Sequence, residues 1–190
     1  MRFDAGYYGI YQNDRKETGR SFNALDLSLD LASKAKAGSR FGYKAGVAYR
    51  YGSDAYDSPV SGNLALSENL LDIDASVYTS FRRHRLGLDV EYGMAGYTGF
   101  LTSNAALLSL FPHYTMKYGR FDIDLGLTLS KVFRGAEMQG IFQDKIQSLY
   151  PDVKVGFRAL PSTYMYVEFG GGARMNTYSS LLQSDRRIGI

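Results

Sequence analysis

The chain has 190 residues and a formal net charge of +3, too slight an excess to argue for nucleic-acid binding. It holds 16 Tyr, 11 Phe, 21 Gly and only 4 Pro, a balance that leans toward β structure. It has no cysteine, which excludes a disulfide scaffold and a thiolate metal site. The N-terminus, Met1-Arg2-Phe3-Asp4, lacks the apolar core of a signal peptide, and no run of about 18 apolar residues exists to make a membrane helix. For an exported protein, the expectation is a mature or truncated piece.

Phe3 to Gln12 reads as a first strand, with Phe3, Ala5, Tyr7, Gly9 and Tyr11 on one face, and Asn13 to Ser21 as a loop. From Phe22 to Ala32, Leu25, Leu27, Leu29 and Leu31 alternate with Asp26, Ser28 and Asp30. A spacing of two would scatter these leucines around a helix, so the strand reading wins. Ser33 to Ser39 turns the chain. Arg40 to Tyr51 returns, with Phe41, Tyr43, Val47, Tyr49 and Tyr51 opposite Arg40, Lys44 and Arg50. Gly52 to Asn69 reads as a long loop. Leu71 to Phe81 and Leu86 to Met94 make a hairpin about the basic turn Arg82–Arg85, and Ala95 to Ala106 as another loop. The hairpin from Phe111 to Val132 has the clearest pattern: Phe121, Ile123, Leu125, Leu127 and Leu129 alternate with Asp122, Asp124, Gly126, Thr128 and Ser130 after a tight Gly119-Arg120 turn. Arg134 to Gln147 reads as a loop, Leu149 to Ala159 as a strand, Leu160 to Thr163 as a turn, and Tyr164 to Met175 as the last full strand. Asn176 to Ile190 shows no clear alternation beyond Leu182.

The expected fold is all-β: an antiparallel up-and-down meander of about nine long strands. Nothing divides residues 1–190 into separate domains. Two environments compete for the apolar face, a soluble sandwich core and a lipid bilayer. Three features favour lipid. Connections alternate short and long, as in outer-membrane barrels. Strands of about ten residues, tilted about 45°, cross roughly the 25 Å apolar band. Aromatics (Phe41, Tyr49, Tyr51, Phe81, Tyr92, Tyr118, Phe121, Phe157) fall near strand ends, like interfacial girdles. Almost no charge lands on the apolar face within a strand. The candidate lumen-lining residues are Asp26, Asp30, Arg40, Lys44, Arg50, Asp72, Asp74, His113, Lys117, Asp122, Asp124, Lys154, Arg158, Glu168 and Arg174, read mainly as a cross-strand salt-bridge lattice.

Catalytic chemistry finds little support. His84 reads as a solvated turn residue and His113 as a hydrogen-bond partner on the polar face. Asp122 or Asp124 would have to approach His113, with a serine, for a triad, and no nucleophile signature accompanies them. The pairs Asp72/Asp74 and Asp122/Asp124, about 7 Å apart along a strand, read as a solvated wall rather than paired acids or a calcium site. Gly170-Gly171-Gly172 has no following Lys-Ser or Lys-Thr and reads as a bend, not a phosphate loop. No catalytic residue, cofactor or metal ligand is expected.

Three motifs carry a resemblance: Phe22-Asn23-Ala24-Leu25-Asp26-Leu27-Ser28, Leu149-Tyr150-Pro151-Asp152-Val153, and Asn176-Thr177-Tyr178-Ser179-Ser180-Leu181-Leu182. Together they are similar to TonB-dependent-receptor-like outer-membrane β-barrels of Gram-negative anaerobes. The resemblance implies a larger barrel in the cell outer membrane, with outer-membrane lipid as its surroundings and a small-molecule or oligosaccharide ligand. No plug domain and no TonB box is recognisable, which argues against TonB-coupled transport. The chain ends without the terminal aromatic usual in such barrels, so the expectation is an internal or truncated barrel segment. The functional expectation is a transport or pore-type wall. The alternatives are a non-conducting structural or assembly barrel and a soluble β-sandwich that binds glycans.

Overall fold

The computed structural model describes residues 1–13, 19–33, 40–58, 62–99, 102–134, 147–160 and 162–178. Nine strands run through them: β1 (Arg2–Asn13), β2 (Gly19–Ala32), β3 (Phe41–Ser58), β4 (Gly62–Phe81), β5 (His84–Gly99), β6 (Ser103–Tyr118), β7 (Phe121–Arg134), β8 (Gln147–Leu160) and β9 (Thr163–Phe169). They form one sheet in chain order, each strand antiparallel to the next. The up-and-down meander is therefore observed. The sheet is open, with β1 and β9 as its edges.

Register keeps like with like. Leu27 faces Tyr49 while Asp26 faces Arg50, and Ile123 faces Val155 while Asp124 faces Lys154. A slip of one residue would put every carboxylate on the apolar face, so side-chain pattern specifies the pairing. Two hairpins close on two residues. Gly119, at φ 62°, brings Tyr118 against Phe121, and Arg82, at φ 55°, brings Phe81 against His84. Left-handed backbone at this position matches the strand twist of a tight hairpin.

The strands differ from the expected ten residues: β1 to β8 span 12 to 20 residues and β9 only 7. Most of the expected loop Gly52–Asn69 is paired strand, out to Ser58 against Gly62. The expected loop Ala95–Ala106 is likewise largely ladder, with Tyr97 against Ser103. Both stretches mix small, polar and apolar residues without strict alternation, but backbone pairing needs no apolar side chain. The basic turn shrinks to Arg82-Arg83. The last strand stops at Phe169 rather than Met175, because Gly170-Gly171-Gly172 offers neither face a side chain to pack. The remaining connections, 14–18, 34–39 and 135–146, and the tail 179–190 lie outside the described residues.

Burial is inverted relative to a soluble sandwich. The buried apolar residues Ala24, Leu66, Leu70 and Ala95 sit on the face that carries the charges, together with buried Asp54 and Glu68. The leucine-rich face is exposed along its length: Leu25, Val47, Ile73, Leu88, Leu125 and Val155 are all classed as exposed.

Candidate functional site

Two surfaces bear on function, one on each side of the sheet. The first is the apolar face. Register aligns where it ends toward the 59–61 connection: Asn23, Ser53, Ser67 and Thr98 fall in one row across β2 to β5. The next row holds Leu25, Tyr51, Asn69, Gly96 and Asn104. Tyrosine hydroxyls just below reach toward these polar rows. Tyr7 donates to Asn23 at 3.1 Å, Tyr49 to Asn69 at 2.8 Å and Tyr51 to Ser67 at 3.4 Å. A tyrosine so placed keeps its ring on the apolar band and its hydroxyl in polar surroundings.

The opposite end of the band is also aromatic. Phe81 stacks on His84 at 5.2 Å, His84 lies 5.9 Å from Tyr114, and Phe121 lies 4.9 Å from Phe157. The solvated-turn reading of His84 is thus corrected: it opens β5 on the apolar face, half-buried, with Nδ1 2.6 Å from the Tyr114 hydroxyl. Its phase with Leu86 and Leu88 was the available signal. Tyr92, expected near an end, sits in mid-band opposite Ile73 and Leu108. Along β3 the band runs from Phe41 to Tyr51, about 33 Å of strand at about 3.3 Å per residue, or about 23 Å of depth at a tilt of about 45°.

The second surface is the charged face. Register places Asp26, Asp30, Lys44, Arg50, Asp72, Asp74, His113, Lys117, Asp122, Asp124, Lys154 and Glu168 together on it. Arg158 follows the same phase, opposite Tyr164. Arg40 precedes β3 in a bend, and Arg174 lies beyond β9. Cross-strand ion pairs join Arg50 to Asp26, Lys44 to Asp74 at 3.4 Å, and Lys154 to Glu168 at 3.1 Å. Asp30 stands opposite Gly46, while Asp122 stands opposite Lys117. His113 meets Asp89 at 3.4 Å, rather than Asp122 or Asp124. Its Nε2 lies over Gly87, where an added Cβ would sit 2.2 Å away; a triad would need a hydroxyl at that place. Gly42 similarly lies beneath Tyr78, whose ring in turn carries the Arg85 guanidinium at 3.7 Å. Glycine lets these broad rings lie across a neighbouring strand. Among the described residues, no three His, Asp or Glu side chains group to hold a metal ion.

Residues 170–175 were expected to continue the last strand; instead 170–178 cross the charged face. An added Cβ on Gly170 would sit 2.6 Å from Asp152 of β8, and one on Gly93 of β5 would sit 3.2 Å from Met175. At Tyr178 the backbone N–H donates to Glu68 at 2.7 Å and to the Tyr97 hydroxyl at 3.2 Å, and the Tyr178 hydroxyl donates to Asp54 at 2.6 Å. These anchoring residues lay in stretches read as loops. Their signal was parity: Asp54 keeps the phase of Arg50, and Glu68 that of Asp72. Between this segment and the sheet lies a cavity of about 1130 Å³. Its wall runs from Lys44 of β3 through Asp74, Glu91, Ser109, Thr128 and Asp152 to Glu168 of β9. Its ends lie six strand spacings apart in the sheet, so one groove runs along most of the charged face. Ser109 and Ser130, both buried, share a hydrogen bond of 3.0 Å in the cavity region.

Comparison of the sequence with protein-family models and with curated proteins returns no match. No helix among the described residues is long and apolar enough to cross a membrane, a criterion that does not bear on spanning strands.

Proposed function

We propose that this chain is a segment of wall in an outer-membrane β-barrel, with its leucine-rich face against lipid and its charged face lining a lumen. One observation carries the proposal: the leucine-rich face is left exposed, with a polar row closing it across β2 to β5 and aromatics at both ends. A soluble sandwich has no reason to end its core-facing leucines in one row of Asn, Ser and Thr while leaving them uncovered. A bilayer supplies that reason, because lipid covers an apolar face that the chain's own layers leave open. A single groove lined by residues of β3 to β9 on the charged face supports a lumen on that side.

A transport or pore-type role follows from a polar wall of that kind. The likeness to TonB-dependent-receptor-like barrels belongs to this proposal and rests on the three sequence motifs. A non-conducting structural barrel is the second reading, favoured by the segment 170–178 lying across the charged face. Reconstitution tests both. Protein that inserts into liposomes, resists carbonate extraction and conducts ions in planar bilayers fits the first reading; insertion without conductance or solute uptake fits the second. A monodisperse, detergent-free monomer that unfolds cooperatively would sink the membrane assignment altogether.

A further inference from the structure

We infer that residues 170–178 form an internal strap that closes the charged groove, hinged at Gly170-Gly171-Gly172 and latched at Tyr178. Three observations place the device. The strap makes no strand ladder with the sheet, so side chains and isolated bonds hold it there. Its near end is a glycine triplet in which Gly172 has nothing within 4 Å of an added Cβ, so rotation there meets no packed neighbour. Its far end is held by hydrogen bonds to two buried carboxylates, Asp54 and Glu68. Hydrogen bonds to carboxylate acceptors away from water are strong, which suits a latch that holds the segment at one point. Beneath the latched end lies Leu70, 6% exposed, on a cavity wall shared with Arg174, Met175 and Thr177. Release at Tyr178 would uncover that wall and join it to the larger cavity. As a statement about the groove, the inference does not need a membrane; as a gate on passage, it rests on the lumen reading.

The absence of native cysteine makes the test clean. A Leu70→Cys reporter is labelled with a membrane-impermeant maleimide in folded, detergent-solubilised protein. Labelling is expected to be slow with the native strap, at least about tenfold faster with Tyr178→Ala, which loses the ring and the bond to Asp54, and intermediate with Tyr178→Phe, which loses only that bond; both keep the backbone N–H. Equal rates in all three, with unchanged β-sheet circular dichroism, overturn the latch. Should Tyr178→Ala not fold, the Tyr178→Phe comparison decides. Seating is tested separately with the pair Gly93→Cys and Met175→Cys: a short bis-methanethiosulfonate linker, which bridges side chains that lie within a methionine's reach, should join the two thiols, and failure to join them in folded protein overturns the strap. Bilayer current recorded on the linked and reduced pair then tests the lumen reading. Faster maleimide labelling without current in either state upholds the strap and removes the open pore.

Discussion

The two faces of this sheet bury opposite things. On the charged face, Leu70, Ala95, Asp54 and Glu68 are packed away beneath or beside the strap. On the leucine-rich face, Leu125 is 44% and Val77 42% exposed, although both are in central strands. In a protein whose oily face meets a second layer of its own chain, these positions would be the most buried. Among the described residues, burial is therefore concentrated around the polar groove, while the apolar face stays open. The comparison also explains why hydrophobicity alone misjudges the core: the smaller apolar side chains Ala24 and Ala95, at 1% exposure, are covered, and the rows of leucine are not.

The strongest way to break this comparison is to place a charge on each face. Leu27→Arg or Leu125→Arg should cost about 2–4 kcal/mol in lipid and block insertion, while Ser28→Arg, one residue away on the charged face, should insert normally. Folding into liposomes followed by gel mobility reads the result; equal outcomes at the two faces would remove the lipid assignment. Next in size is Gly87→Leu. Its Cβ would meet the His113 ring at 2.2 Å, and a whole isobutyl group must displace that ring from its place beside Phe111 and Asp89. The expected cost is about 1–3 kcal/mol by denaturant unfolding in detergent.

Ser109→Ala removes one side of a buried hydroxyl pair and should cost about 1 kcal/mol. The double variant Ser109→Ala/Ser130→Ala should lose less than the sum of the two single changes, because neither hydroxyl is then stranded. The smallest effect belongs to the ion-pair lattice. Asp26→Asn removes one carboxylate that meets Arg50 on a partly open wall, so its cost should stay below about 1 kcal/mol and shrink further in high salt. A larger, salt-insensitive loss would mean that the pair is shielded from water and that the charged face is drier than its exposure indicates.

Much of the architecture was legible from residue pattern alone. Strict alternation at Leu25–Leu31 and Phe121–Leu129 determined strand, face and antiparallel hairpin, because a side-chain period of two has only one local solution. Tight turns at Gly119-Arg120 and near Arg82 were legible for the same reason: little chain separates the two alternating runs. Strand ends were not. Between Gly52 and Asn69 the residues on both faces are mostly small or polar, and the ladder continues there through backbone hydrogen bonds that leave no mark in side-chain pattern. The strap was hidden by its own composition. Gly171, Ala173 and Met175 alternate in step with β9, so local pattern extends the strand, and only the placement of Asp54, Glu68 and Tyr97 from distant parts of the chain gives Tyr178 a reason to leave it. The sequence thus determined which residues share a face, a local property of the extended chain. The tertiary structure decided which face is covered, because that depends on bonds made 81 to 124 residues apart.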